Sequence, residues 1–138
     1  MRAKFINESS IESFLTPKSE EDIIKDLKKT SKNELGQNLL YLLQNIENES
    51  KIDFNKIKLL LNYDADINIT DNDGYTLLHY AVILNNIELV KLLINKGIDL
   101  NKKEKIGYST ALDKSKVYGY DNISYLLIQH GAKKSTEL

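Results

Sequence analysis

The strongest constraint on the fold is a sequence motif that occurs three times in the chain. Each copy pairs a leucine-rich helix end with a short turn, and the copies start at Leu60, Leu93 and Leu127. The spacings between them are 33 and 34 residues. A period in this range is typical of a solenoid, in which each unit buries its apolar face only against its neighbours. The repeat therefore predicts a stack of similar units, and it favours a binding surface over a catalytic pocket.

A second sequence motif recurs at the same spacing of about 34 residues. The segment 74–81 reads GYTLLHYA, and a looser copy at 108–115 reads YSTALDKS, so that Thr110 follows Thr76 by 34 residues. At this point the chain resembles the ankyrin-repeat family. The family's Thr-Pro-Leu-His signature appears as TLLH at 76–79, and its Gly-Ala-Asp-Val-Asn phrase appears as DADIN at 64–68 and GIDLN at 97–101. The resemblance covers about residues 34 to 134.

The resemblance implies an all-α repeat fold, an ankyrin solenoid of three helix-turn-helix repeats with β-hairpin fingers and an N-terminal helical cap. We assign residues 1–33 to the cap, 34–70 to a divergent first repeat, 71–103 to the second repeat, 104–134 to the third and 135–138 to a tail, all within one folded domain. The third repeat carries one extra residue in its hairpin. The segment from Lys133 onward is polar, so we expect it to fray.

Capping patterns and apolar periodicity place the helices. Ser19 with Asp22, and Ser31 with Glu34, have the spacing of capping boxes and mark two helix starts. The polar stretch 45–53 is interpreted as a long loop between helices. The clearest periodic segments predict helices near 76–84, 87–95, 110–118 and 122–129. A short amphipathic turn near the N-terminus is expected from Ile6, Ile11, Phe14 and Leu15.

Composition excludes several classes of protein. With 138 residues and a net charge of −1, the chain has no long-range field that would attract nucleic acid or an acidic membrane. It has no cysteine, which rules out disulfides, cysteine-ligated zinc and cysteine nucleophiles. No apolar run approaches the roughly 18–20 residues that span a bilayer, and the first residues lack the apolar core of a secretory signal. We therefore expect a cytoplasmic protein, and the richness in Ile, Asn and Lys indicates an AT-rich genome.

The more prominent histidine has two interpretations. His79 would suit a metal ligand or a general base. It lies in the family signature, however, where the resemblance implies hydrogen bonds between adjacent hairpins, so we assign it a structural role. Gly74, Gly97 and Gly131 are likewise interpreted as structural, at a turn and at two helix ends.

A cluster of aspartates suggests a calcium loop. Its members are Asp64, Asp66, Asp71 and Asp73. An EF-hand register ending at Gly74 would need a ligand where Ile69 stands and a glutamate where Tyr80 stands. Turn chemistry explains the aspartates better, and no metal site is predicted.

A short basic run lies on the finger of repeat three. It contains Lys102, Lys103 and Lys105 and is interrupted by Glu104. Nucleic-acid binding would need a broader basic field with interleaved aromatic residues, so we interpret the run as a solvated hairpin tip. Because the preceding finger is acidic, the two charges would orient a partner along the groove.

Partner contacts are assigned by position, because ankyrin proteins usually grip a partner with the finger tips and the exposed face of each first helix. The second repeat supplies Thr70, Asn72, Asp73, Tyr75, Ile83 and Leu84. The third repeat supplies Lys103, Lys105, Ile106, Tyr108, Val117 and Tyr118. Aromatic anchors ringed by charge are typical of an interface hot spot. The alternative is that these side chains pack between neighbouring repeats, and the sequence leaves both open.

The sequence therefore predicts a non-catalytic module that binds another protein as an inhibitor, adaptor or neutraliser. No glycine-rich phosphate loop, nucleophile elbow or metal motif is present, so we assign no catalytic residue, metal or cofactor. Bacterial toxin immunity and phage interference with a host protein are the expected settings, in the cytoplasm of a bacterium or an infected host cell. Two alternatives stay open: a small-molecule or nucleotide sponge with a pocket at an oligomer interface, and a structural spacer. The expected state is a monomer or weak homodimer without nucleic-acid or membrane binding.

Overall fold

The computed structural model describes residues 19–46 and 54–138. The chain divides into two compact units, residues 1–69 and 70–138, so the division falls one residue before the predicted start of repeat two. Most of the predicted loop over 45–53 lies outside the described residues. So does the predicted N-terminal turn, with Ile6, Ile11, Phe14 and Leu15.

Three helices form the described part of the first unit. They are α1 (Glu20–Lys29), α2 (Lys32–Gln44) and α3 (Phe54–Asn62). The Ser19 hydroxyl accepts a hydrogen bond from the Asp22 N–H at 3.3 Å, and the Ser31 hydroxyl accepts one from the Glu34 N–H at 3.2 Å. Each serine therefore satisfies one of the open N–H groups at a helix start, as the sequence spacing predicts.

Helix α2 packs against α3, and the apolar side chains at helical spacing are buried. The buried apolar residues of this unit are Leu27, Leu35, Leu39, Leu40, Leu43, Ile57, Leu60, Leu61, Ala65 and Ile69. Gly36 marks a close approach, because a Cβ added there would lie 2.4 Å from the backbone oxygen of Asp66. The Asp66 N–H donates to the Lys32 carbonyl at 2.9 Å, and the Lys32 and Asp64 side chains form an exposed ion pair. These contacts hold the loop after α3 against the start of α2.

The second unit contains two helix pairs of the same design. They are α4 (Leu77–Ile83) with α5 (Ile87–Asn95), and α6 (Ala111–Val117) with α7 (Asp121–Gln129), followed by a short 3-10 turn (Ser135–Glu137). The helices of each pair pack on each other, α4 packs on α6, and α5 packs on α7. Thr76 and Thr110 cap the first helices, so α4 and α6 begin one residue later than predicted.

The core of the second unit comes from the faces that these helices turn toward one another. Its buried apolar residues are Leu77, Leu78, Ala81, Val82, Leu89, Val90, Leu93, Ile98, Ala111, Leu112, Ile123, Leu127 and Ala132. The fingers contain no strand in the described residues. Thr70 and Thr76 form an isolated antiparallel bridge, and the Glu104 N–H donates to the Ser109 carbonyl at 3.1 Å. The predicted all-α repeat class is therefore confirmed, with fingers that are turns rather than extended hairpins.

The C-terminal segment differs from expectation because its backbone is hydrogen-bonded. The Asn101 side chain accepts from the Lys133 N–H at 2.8 Å, and the Thr110 hydroxyl donates to the Lys133 carbonyl at 2.8 Å. The Asp113 carboxylate accepts from the Ser135 N–H at 2.9 Å. The expectation of fraying is wrong for residues 133–135, since polar side chains of the preceding repeats provide partners for their backbone.

Candidate partner-binding surface

A single carboxylate shapes the finger of repeat two. Asp71 Oδ1 accepts hydrogen bonds from the N–H groups of Asp73 at 3.0 Å and Tyr75 at 2.9 Å. The Tyr80 hydroxyl donates to the other Asp71 oxygen at 2.5 Å. Gly74 closes the turn with φ of +80°. The turn occupies one oxygen of the Asp71 carboxylate and the first helix of the repeat occupies the other.

Glu104 shapes the finger of repeat three. Its side chain is only 2% exposed. Its oxygens accept hydrogen bonds from the N–H groups of Ile106 at 2.7 Å, Gly107 at 3.0 Å and Ser109 at 3.0 Å. Glu104 is therefore not part of the solvated hairpin tip, although Lys102 and Lys105 on either side of it are exposed as expected. The finger turns three N–H groups inward, and buried N–H groups require an acceptor, which the carboxylate supplies.

Lys114 connects the two fingers from α6. Its Nζ lies 4.0 Å from Glu104 Oε1, 3.3 Å from the Tyr75 hydroxyl and 4.7 Å from the centre of the Tyr75 ring. Burial alone would raise the pKa of Glu104, but the N–H donors and the Lys114 ammonium outweigh it and hold that pKa below its usual 4.5. The Lys105 N–H also donates to the Asp73 carbonyl at 2.8 Å. These charge and backbone contacts hold the finger of repeat three beside the finger of repeat two.

The finger of repeat three projects two large side chains into solvent. Ile106 is 69% exposed and Tyr108 is 67% exposed. Tyr108 has φ of +55°, a left-handed conformation that costs a bulky residue on the order of 1 kcal/mol. Such strain persists where the surroundings fix the backbone. Here the residues on both sides of Tyr108, Gly107 and Ser109, are bonded to Glu104.

The ends of the first helices differ between the repeats. Ile83 and Leu84 are half-buried at the end of α4. The equivalent residues of repeat three, Val117 and Tyr118, are 83% and 48% exposed. Tyr118 stacks on Tyr120 with ring centres 5.5 Å apart. The third repeat therefore presents the more open apolar surface.

The remaining predicted contacts lie on the fingers. The exposed ones are Asn72, Asp73 and Lys105, and the half-buried ones are Thr70, Tyr75 and Lys103. All twelve predicted contact residues lie in the second unit, and the open side chains are concentrated in repeat three. Their contact with a partner stays a prediction.

His79 and Asp113 occupy the same place in successive repeats. His79 Nδ1 accepts from the Thr76 N–H at 3.0 Å, which assigns the ring proton to Nε2, and Nε2 donates to the Ser109 carbonyl at 3.0 Å. Burial is the largest cause that lowers the pKa of His79 below its usual 6.5, so the ring is neutral. Asp113 instead accepts from the Ser135 N–H. The histidine faces a carbonyl oxygen and donates to it, whereas the aspartate faces an N–H group and accepts from it.

Sequence reasoning missed three features of this surface. They are the buried acceptor role of Glu104, the left-handed backbone of Tyr108 and the bond from Asp113 to the C-terminal segment. The available signal for the first two was the extra residue in the third hairpin, and for the third it was an aspartate, Asp113, at the position of His79.

An open pocket of about 540 Å³ lies at the turns between the paired helices of the second unit. It is lined by Asn85, Ile87, Gly119, Tyr120, Asp121, Asn122 and Ile123. None of the predicted contact residues lines it. Within residues 19–46 and 54–138, no three acidic or histidine side chains are placed to hold a metal ion. The helices in these same segments are all too short or too polar to cross a bilayer.

Comparisons with known proteins agree on the nature of the repeat. A family model described as ankyrin repeats, in three copies, matches residues 9–104 and 50–137. The chain is 37% identical over 94 residues to an I-kappa-B-like protein C2 of Microplitis demolitor bracovirus, which covers 64% of this chain and 50% of the relative. It is 45% identical over 53 residues to ankyrin repeat protein 14 of vaccinia virus, which covers 38% of this chain and 22% of the relative. A palmitoyltransferase of Neurospora crassa matches at 36% over 75 residues, 54% of this chain and 10% of the relative. The chain thus spans half or less of the length of these relatives.

Proposed function

Because the chain belongs to the ankyrin-repeat family, we propose that it is a non-catalytic module that binds another protein through its second unit. Ankyrin repeats are protein-protein interaction modules, and the fingers and first-helix ends are the parts that we assign to contact. The proposed contacts are the twelve residues of repeats two and three named above.

The observation that carries this proposal is the open apolar surface of repeat three. Ile106, Tyr108, Val117 and Tyr118 present aliphatic and aromatic groups to solvent on one finger and one helix end. Exposed apolar groups rimmed by charged residues mark protein interfaces, and tyrosine is enriched among the residues that dominate binding energy. Packing between neighbouring repeats, the alternative role, suits the half-buried Ile83 better than these four.

We further propose that binding occupies a functional surface of the partner, so that the protein acts as an inhibitor, adaptor or neutraliser. Toxin immunity and interference between phage and host are the proposed settings, in the cytoplasm and as a monomer or weak homodimer. The small-molecule sponge is the competing proposal. It predicts tight stoichiometric binding of nucleotides or metabolites in calorimetry with no second protein present.

The test is affinity capture from native cells with the unaltered chain and two matched double variants. Val117→Ser with Tyr118→Ser removes one aliphatic and one aromatic group from the proposed surface. Tyr125→Ser with Ile128→Ser removes the same two chemical types from exposed positions on α7. We expect the first variant to lose the captured protein and the second to retain it, with equal thermal midpoints. Capture that is lost equally in both variants, or in neither, would contradict the proposal.

A further inference from the structure

We propose that the third repeat selects a partner segment that is acidic and carries at least one large apolar side chain. The surface concerned, called here the basic-aromatic surface, consists of Lys105, Ile106, Tyr108, Lys116, Val117 and Tyr118. This inference rests on the proposed protein-binding function and adds the chemistry of the partner.

The charge of this part of the chain has one dominant sign. Residues 102–118 contain five lysines and two carboxylates, a net charge of +3 in a chain whose total is −1. Lys102, Lys105 and Lys116 are exposed. Complementary charge steers encounter and suppresses wrong partners, so this surface favours an acidic segment and repels a basic one.

The two carboxylates of this stretch do not offset the lysines at the surface. Glu104 is buried beneath three backbone N–H donors and faces Lys114. Asp113 accepts hydrogen bonds from the N–H groups of Thr110 and Ser135. Both acidic groups are directed at internal donors, so within residues 102–118 the exposed charges are those of Lys102, Lys105 and Lys116, and the nearest exposed carboxylate on the neighbouring finger is that of Asp73.

One stripe of helix α6 is directed toward the finger of repeat three. The buried residues of α6 are Ala111, Leu112 and Ser115. Lys114 and Val117, three residues apart, share one stripe outside this buried face, and Lys116 lies on the other side of Val117. Since Lys114 reaches the Glu104 carboxylate, this stripe is directed toward the finger. The helix rises about 10 Å over its length, so an extended partner segment of about four residues can span from the finger to the helix end.

Tyr108 provides an independent indication of binding. Its backbone lies in the left-handed region, which glycine and asparagine adopt at lower cost than tyrosine. A side chain as exposed as this one adds little to folding. A strained backbone that presents an aromatic group to solvent is therefore better explained by a role in binding.

Nucleic acid is the other polyanion that lysines attract, and the observations favour it less. Affinity for a phosphate backbone grows with the number of neutralised phosphates, and this surface offers few exposed lysines. Tyr108 and Tyr118 are faces on which a base can stack, but the aliphatic Ile106 and Val117 of the same surface are not. They suit an apolar side chain of a peptide.

The experiment is selection from a random peptide library against the whole chain at low ionic strength, followed by fluorescence anisotropy of the enriched peptides. We expect peptides with aspartate or glutamate on both sides of a large apolar residue. Lys105→Glu with Lys116→Glu should weaken their binding on the order of tenfold or more. Lys28→Glu with Lys91→Glu, exposed positions elsewhere, changes the total charge equally and should have an effect below about threefold.

A second variant separates binding from folding. Tyr108→Asn relieves the left-handed strain, so its thermal midpoint should equal or exceed that of the unaltered chain, while peptide affinity falls on the order of tenfold. A lower thermal midpoint or unchanged affinity would count against Tyr108 as the anchor and against the proposal.

The outcomes distinguish this inference from the proposed function. Peptides without an acidic excess that still require Val117 would overturn the acidic preference and leave protein binding intact. Peptides that bind Val117→Ser as well as the unaltered chain, or a library that yields no binder, would count against both. Displacement of the peptides by a single-stranded oligonucleotide at similar concentration would overturn the inference in favour of nucleic acid.

Discussion

Replacing Glu104 by alanine is expected to lower the free energy of unfolding by about 2–4 kcal/mol. The carboxylate accepts hydrogen bonds from the N–H groups of Ile106, Gly107 and Ser109 and is almost fully buried. Alanine leaves all three donors without this acceptor, and each unsatisfied buried donor costs about 1–3 kcal/mol. The expected loss of unfolding free energy is smaller than the summed cost of three unsatisfied donors, because residues 105–108 are exposed and water reaches part of this backbone.

Glu104→Gln separates the charge from the shape of the side chain. The amide keeps one oxygen acceptor, but it turns an NH2 group toward N–H donors and removes the charge that faces Lys114 at 4.0 Å. Hydrogen bonds to a charged acceptor are about twice as strong as neutral ones, so we expect a loss of about 1–2 kcal/mol. Stability should therefore rank the glutamate first, glutamine second and alanine last.

The measurement is urea unfolding followed by far-UV circular dichroism, with the m-value as the check on cooperativity. Glu88→Gln is the control, because Glu88 is exposed in the first turn of α5 and its loss should change stability by less than about 0.5 kcal/mol. If Glu104→Ala and Glu88→Gln unfold at the same urea concentration, the carboxylate does not hold the finger and the reasoning is refuted.

Three further perturbations test other parts of the molecule by the same urea midpoint. Gly36→Ala should cost about 1–3 kcal/mol despite its better helix propensity, because the new Cβ would meet a backbone oxygen 2.4 Å away; a raised midpoint contradicts the close approach. Ile83→Ser should cost about 1 kcal/mol because this residue is half-buried, and an unchanged midpoint would show that it does not pack. On acidification, stability should first fall below pH 6.5, because the unfolded chain protonates His79 while the lowered folded pKa keeps the ring neutral. It should fall again below pH 4.5, where the lowered pKa values of Glu104 and Asp113 make the unfolded chain bind protons first; a midpoint that stays flat into acid contradicts this.

The repeats and helices could be predicted because local patterns specify them. The spacing of the leucine-rich phrases set the all-α repeat class, and α5 occupies the predicted residues 87–95. Ser31 and Thr76 lie at or within one residue of the predicted helix starts, since a side chain that caps its own helix acts within three positions.

The features that escaped prediction depend on contacts between segments distant in the chain or on loop geometry. Gly36 is required by a backbone oxygen thirty residues later, at Asp66, which no local pattern encodes. Glu104 lies among lysines, a context that is typical of a solvated charge. Only the fold shows that the following loop directs its N–H groups at this carboxylate. Ile83 and Val117 hold equivalent positions, yet only the structure distinguishes a half-buried side chain from an open one.

Asp113 also limits how a stack of this kind can be lengthened by engineering. In repeat two the equivalent histidine directs an N–H at a carbonyl oxygen of the following finger. A unit grafted behind repeat three would place a similar carbonyl oxygen opposite the Asp113 carboxylate, and two acceptors repel each other. Extension of the protein therefore calls for Asp113→His at the interface with the added repeat. In a fusion that keeps the aspartate, the added repeat should unfold before the rest of the stack.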